Sequence, residues 1–254
     1  VQGGIILTKF EKALGECPFH GQIMDDDQLA VVYTQEPQLL VVSPAGYGKT
    51  HTMVRKIAHL VGEKVIQYPK KVLALSFSVN AARKIRQELK FQLPILLGLP
   101  QRLEKQALDM VYATNYHGLA RRILKRYGYL LSMELGDVDA LRGVRLPRSS
   151  AKEGLHDLGI NISSSQIKFI RRYSEAIVAA GKLSRRERES KYLSQNLESY
   201  LGIVSAKFLP EGFILHDAVI LYARKILYDH PQIRKFYRNL FHCIMVDEFQ
   251  DTNL

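Results

Sequence analysis

The sequence predicts an α/β protein: a parallel sheet flanked by helices, with an all-helical subdomain inserted into it. Three observations carry this. Short apolar runs alternate with amphipathic stretches from residue 39 to 127, the rhythm stops near residue 130, and it resumes after about residue 210 in an apolar run that ends on two acidic residues. Strands alternating with helices require crossover connections, and these cover both faces of a parallel sheet.

The elements follow in order. Residues 1–22 are mixed in character and support no assignment. Asp25-Asp26-Asp27 caps a helix start that exposes Gln28. Leu39-Leu40-Val41-Val42 reads as a short buried strand, and after a Gly-rich turn a helix runs from Lys49 to about Leu60. Lys71–Phe77 is a second strand and Asn80–Leu89 a second helix. Met110–Ala113 is a third strand, followed by a helix over Gly118–Tyr127 that Gly128 stops. Residues 130–210 contain no convincing buried strand. There Ser165 caps a helix to Ala180, with Ile167, Ile170, Tyr173 and Ile177 on one face and Gly181 past its end. Ser184-Arg185-Arg186-Glu187 opens another helix as a capping box. Asp217 caps a helix to about Tyr228, Pro231 marks a break or a new helix, and His242–Val246 is a buried strand. The expected divisions are 1–130, the first part of the α/β domain; 131–212, the helical insertion; and 213–254, its second part.

The totals narrow the classes. With 254 residues, 46% apolar and 24% charged, the chain has globular proportions and enough length for a sizeable core. A formal net charge of +11 favours a polyanionic partner. Two cysteines, Cys17 and Cys243, build neither a disulfide framework nor a four-ligand zinc site. Cys17 with His20 is half a metal site without a second pair, and Cys243 reads as a small buried hydrophobe. No apolar stretch approaches the ~20 residues that span a bilayer. A reducing, cytosolic setting fits best, with association to the nucleoid or, in a eukaryote, a nuclear location as the expected refinement.

Two motifs carry chemistry. Ser43-Pro44-Ala45-Gly46-Tyr47-Gly48-Lys49-Thr50 stands between a strand and a helix. Glycines there let backbone N–H groups approach a phosphate at the positive end of a helix dipole. Lys49 is placed to reach the β- and γ-phosphates of ATP and Thr50 to hold Mg²⁺. A Gly-rich connector with no ligand is the plainer alternative. The second motif is Asp247-Glu248-Phe249-Gln250-Asp251 at the end of a strand, where Asp247 suits the Mg²⁺ shell and Glu248 the activation of a water. The two should face each other across the sheet. Gln28 offers an amide that pairs with the adenine edge, or it is simply an exposed helix-start residue.

The order Gln28, AGYGKT, LALSFSVNAARKI, ATNYHGLARRIL and IMVDEFQDTN resembles the N-terminal motor domain of UvrD/Rep/PcrA-type superfamily-1 DNA helicases, over nearly all of the chain beyond the first ~20 residues. The resemblance implies a RecA-like P-loop NTPase core that acts on single-stranded DNA or an ss/ds junction, moving 3′ to 5′. It implies nucleotide contacts at Gln28, Ala45, Gly46, Tyr47, Gly48, Lys49, Thr50 and His51. It further implies Mg²⁺ at Thr50 and Asp247, Glu248 as catalytic base, and Gln250 sensing the γ-phosphate. Single-stranded DNA would touch Ser76, Phe77, Ser78, Asn80, Tyr116 and His117; aromatic faces such as Phe77 and Tyr116 stack on any base, or serve only as core packing. The sequence departs from the family at Val79-Asn80, where Asn-Lys is usual, and at His51, where Arg is common. Because the chain ends at Leu254, the C-terminal motor domain whose arginines complete the ATP site is expected to be missing, leaving a fragment that binds ATP and hydrolyses it poorly. The basic residues of the insertion (Lys168, Arg171, Arg172, Lys182, Arg185, Arg186, Arg188 and Lys191) form a solvated helix face or a nucleic-acid contact. A nucleotide-dependent DNA-binding or regulatory module without unwinding activity is the second reading, and a P-loop kinase or transferase the third.

Overall fold

The computed structural model describes residues 24–44, 46–146, 151–180 and 185–248. The described residues form two compact units, one of those up to Asn115 together with 236–248, the other of those within Tyr116–Lys235.

The first unit opens with α1 (Asp26–Tyr33), whose N-terminal N–H groups are capped by Asp25: its carboxylate accepts from Gln28 N at 2.8 Å. Then come α2 (Lys49–Gly62), β1 (Lys71–Ser76), α3 (Val79–Leu96), α4 (Gln101–Asp109) and β2 (Val111–Asn115), and at the far end of the sequence β5 (Phe241–Asp247). The three strands pair parallel in the order β2-β1-β5, so β1 is central and buried from Val72 to Ser76. Register matters for function. Ser76 at the carboxyl end of β1 lies beside Asn115 of β2 and Asp247 of β5. One sheet face packs on α2 and α3 through Val72, Ala74, Val54, Ile57, Ile85, Leu89 and Leu93. Arg55 is fully buried among them, donating to the Gln92 side chain at 3.2 Å. Lys56 of α2 donates to the carbonyls of Val32, at 2.8 Å, and Thr34, fastening the end of α1 onto α2; burial depresses its pKa. Cys243 packs against this core half-buried, and burial pushes its thiol pKa up.

The second unit contains α5 (Tyr116–Tyr127), a 3₁₀ turn at 128–130, α6 (Met133–Gly136), β3 (Arg142–Val144), α7 (Ala151–His156), α8 (Ser164–Ala180), α9 (Arg186–Lys207), β4 (Phe213–Leu215) and α10 (His216–Asp229). α11 (Pro231–Leu240) leads out of it into β5. Tyr173 of α8 stacks on Tyr200 of α9 with ring centroids 4.3 Å apart, and its hydroxyl donates to Leu193 O at 3.1 Å. Burial drives the Tyr173 pKa up to about 12. Tyr222 of α10 reaches back to Leu201 O at 2.9 Å, tying α9 to α10.

Six expectations need correcting. Ser165 does not cap α8: the helix begins at Ser164, and the Ser163 hydroxyl accepts from Gln166 N at 3.2 Å. His242–Val246 is a strand but not a buried one: β5 has one neighbour among the described strands, and Ile244 is 59% exposed. Leu39–Val42 pairs with no strand among the described residues, and its side chains are 42–84% exposed. Apolar β-formers make a strand only where a neighbour supplies a ladder, and residues 39–42 form none with β2, β1 or β5. The insertion is not all-helical: β3 pairs parallel with β4, Arg142 opposite Phe213. β3 is three residues long and mostly exposed, so it has no apolar signature. Asp217 is not a cap; it sits in the first turn of α10, whose N-cap is Leu215. Of the four residues assigned to the buried face of α8, Ile177 is only half-buried, and Ala176 takes its place in the core. Ser184, Gly181, Cys17 and His20 lie outside the described residues. Among those described, no helix is long and apolar enough to cross a membrane.

Gly128 is the tightest point of the second unit. A Cβ there would lie 2.1 Å from Leu135 O and 2.5 Å from Leu135 C, both backbone atoms that cannot swing away. Gly128→Ala is expected to cost about 3 kcal/mol or more, read as a lowered midpoint in chemical denaturation; a midpoint within error of the parent would contradict this packing.

Candidate functional site

The turn before α2 is shaped by two glycines. Gly46 has φ +86° and Gly48 φ +75°, left-handed conformations that a side chain strains. Gly48 is also the N-cap of α2, with no side-chain cap, so the first N–H groups of a 14-residue helix open onto the turn. A Cβ on Gly48 would approach Gln28 Nε2 to 3.1 Å, a second reason for glycine. Lys49 Nζ donates to the carbonyls of Ser43 at 2.9 Å and Pro44 at 3.0 Å, so the ammonium is held within the turn. The Ser43 hydroxyl is buried without a hydrogen-bond partner among the described residues.

Thr50 Oγ1 donates to Asp247 Oδ2 at 3.3 Å, across 197 residues of sequence. The two motifs therefore meet at the carboxyl end of the sheet, where β5 delivers Asp247 and the first turn of α2 delivers Thr50. Asp247 Oδ1 accepts from Glu248 N at 3.1 Å, which orients the carboxylate, and Glu248 itself has φ +55°. Among the described residues no cluster of three or more His, Cys, Asp and Glu could hold a metal ion by itself. A hydroxyl and a single carboxylate are nevertheless the hard oxygen donors that suit Mg²⁺, which keeps much of its shell as water and phosphate.

Beside the turn is a cleft of about 410 Å³ lined by Met24, Asp25, Gln28, Gly46, Tyr47, Gly48 and His51, a volume within the range of small-molecule sites. Gln28 Nε2 donates to Tyr47 O at 3.2 Å, so the amide stands on the cleft wall. The contacts of Lys56 with the end of α1 keep that helix, and Gln28 with it, beside α2. Ala45 and Gln250 lie outside the described residues.

The residues expected at nucleic acid divide. Phe77, Ser78 and Asn80 are exposed just beyond β1, Phe77 by 55%. Ser78 also caps α3, accepting from Ala81 N at 3.0 Å. Ser76 is fully buried as the last residue of the central strand, with its hydroxyl unpartnered, so it does not face an outside ligand. In the second unit Tyr116 and His117 open α5, and His117 stacks on His216 at 3.7 Å. The sequence alone does not link His216 to His117, because 99 positions separate the pair and no local pattern joins them. Part of the basic insertion is used internally. Arg172 and Arg188 grip Glu189 at 2.7 and 3.0 Å, and Arg172 also lies over the Tyr192 ring. The hydrogen bond from Arg172 holds the Glu189 carboxyl below its ordinary pKa.

Comparison with known proteins agrees with this geometry. The family model for the UvrD/REP helicase N-terminal domain matches residues 24–254. The chain is 25% identical to the ATP-dependent DNA helicase PcrA of Staphylococcus aureus over 91% of its own length and 30% of that protein's. It is 26% identical to PcrA of Bacillus subtilis, covering 89% of this chain and 29% of the relative. The probable DNA helicase II homolog of Mycoplasma capricolum is 22% identical, over 91% and 31%. The chain thus spans less than a third of the length of these relatives. With the glycine turn, the Thr50–Asp247 contact and the matched span in agreement, the chain belongs to the UvrD/REP helicase N-terminal domain family.

Proposed function

We propose that the chain is the ATP-binding part of an ATP-dependent DNA helicase, a RecA-like core with a mostly helical insertion at residues 131–212 that also carries β3, working on single-stranded DNA in the 3′ to 5′ direction. The Thr50–Asp247 hydrogen bond carries this reading, because it joins the phosphate turn to the acidic strand end at one point. A triphosphate at Gly46–Thr50 meets the N-terminal N–H groups of α2, and Lys49 exchanges its two backbone carbonyls for phosphate oxygens. Thr50 and Asp247 are the residues that would hold Mg²⁺, which would neutralise phosphate charge there. Glu248 takes a proton from the attacking water, and Gln250 responds to the γ-phosphate. Gln28 reads adenine from the cleft wall, and Ala45, Tyr47 and His51 complete the nucleotide's surroundings. Phe77, Ser78, Asn80, Tyr116 and His117 meet the DNA strand by stacking and phosphate contacts.

A second motor domain elsewhere in the same protein completes the ATP site, so this chain alone binds nucleotide but turns it over slowly. DNA-stimulated ATP hydrolysis by the whole protein separates a motor from a regulatory DNA-binding module: a motor is accelerated by single-stranded DNA, and unstimulated turnover would argue for the module.

Two substitutions test the site. Lys49→Ala removes charge-assisted bonds and is expected to weaken ATP binding by about 1.5–3 kcal/mol, roughly ten- to a hundredfold, in a fluorescent-ATP titration; unchanged affinity would place the phosphates elsewhere. Gln28→Ala is expected to remove discrimination between ATP and GTP worth about 1–3 kcal/mol, with less effect on the affinity for inorganic triphosphate. Retained discrimination would show that another group reads the base.

A further inference from the structure

His117 and His216 meet at the N-terminal ends of two packed helices, α5 and α10, both of 12 residues or more. Their rings lie nearly parallel, 16° apart in plane and 3.7 Å between centroids. His117 Nε2 is 3.2 Å from His216 O. A carbonyl only accepts, so Nε2 carries the hydrogen and Nδ1 of His117 is left as its basic nitrogen.

The charges around the pair are unbalanced. Arg121 of α5 and Arg145, just past β3, both act on the two imidazoles, and among the described residues Asp217 of α10 is the one carboxylate that acts on both. Arg121 is fixed by a bond from Nη1 to Val138 O at 2.8 Å, and its other terminal nitrogen lies along Gly143 of β3. Two guanidinium groups and one carboxylate therefore act on two half-buried imidazoles that stand at helix N-termini. That arrangement favours an anion. A monoanionic phosphodiester would balance it and would favour the charged form of an imidazole beside it.

Resting on the DNA-binding reading above, we propose that His117, His216, Arg121 and Arg145 form a clamp for one phosphate of a single-stranded DNA backbone, and that the histidine pair takes up one proton from solvent as the phosphate binds. Two stacked imidazolium ions would repel each other, so the pair accepts one proton rather than two. Of these residues only His117 was expected at DNA from sequence; His216, Arg121 and Arg145 are added by the geometry.

The ligand-free protein shows the same linkage from the other side. Burial, reinforced by Arg145 and Arg121, lowers the pKa of His117 despite the opposing His216 carbonyl and Asp217. Burial, then His117 and Arg145, lowers that of His216. A folded pKa below the unfolded one means that the unfolded chain binds more protons in the intervening window. Stability is therefore full above the ordinary histidine value of about 6.5 and falls as the pH drops below it. Bound DNA should reverse that trend in the clamp.

The test is binding of a thymidine oligonucleotide of about 16 nucleotides at constant ionic strength between about pH 5 and 8. Calorimetry in two buffers of different ionisation enthalpy counts protons. The expected result is uptake of up to one proton, with affinity rising towards about tenfold per pH unit as the pH falls. His216→Gln should retain the folded state by circular dichroism and lose most of the pH dependence, so that its affinity falls below the parent's chiefly at the acid end. His117→Gln should flatten it as well. Inorganic phosphate is titrated alongside, and uptake driven by free phosphate but not by DNA would overturn the proposal in favour of a small-anion site. Binding that is pH-independent, or that takes up no proton in the parent protein, overturns the clamp and leaves the DNA reading standing. No DNA binding at any pH overturns both.

Discussion

A hydrogen bond of 3.3 Å between Thr50 and Asp247 is the constraint on which the rest of the structure depends. For it to form, a central strand must hold β2 and β5 parallel and in register, so that β5 ends level with the start of α2. The apolar contacts among β1, α2 and α3 do this, and the two left-handed glycines bend the chain from residue 44 into α2 without a side chain in the way. The chemistry at the tip is local, but its placement comes from a core some distance beneath it.

Electrostatics are arranged differently in the two units. In the first, a helix N-terminus and the Lys49 ammonium are focused on a turn, and the Asp247 carboxylate meets it at Thr50. In the second, positive charge is partly absorbed internally: Glu189 occupies Arg172 and Arg188, and Glu198 and Asp229 occupy Lys225. The Lys225 pairs are exposed on their acidic side and contribute little to stability, whereas Glu189 is buried and is held there by its two guanidinium partners. All of these pairs decide which basic groups remain to meet a polyanion, and the net charge of +11 by itself says nothing about that choice.

Much of the fold was legible because its signals are local. The glycine turn before Lys49, the amphipathic run of α2 and the apolar run before Asp247 each announce themselves within a dozen residues, and the structure puts elements at all three. What was not legible depends on partners distant in sequence. Leu39–Val42 has strand composition, yet whether it forms a strand depends on a neighbouring edge. β3 is too short and too exposed to show a period, and is a strand only because β4 lies beside it. Ser76 reads as a site residue from its motif, but the central position of β1 buries it. The site shows the same division: Lys49, Thr50 and Asp247 could be named from their motifs, whereas His216 beside His117 required the packing of α5 on α10.

The most direct measurement is a double-mutant cycle on magnesium-dependent ATP affinity with Thr50→Ala, Asp247→Asn and both together. If the two side chains share one Mg²⁺, either single change removes most of the magnesium dependence and the second adds little, giving a coupling energy of about 0.5–3 kcal/mol. Strictly additive losses, or a magnesium dependence that survives both changes, would mean that Thr50 and Asp247 are neighbours without a common ligand, and the account of the site would be wrong.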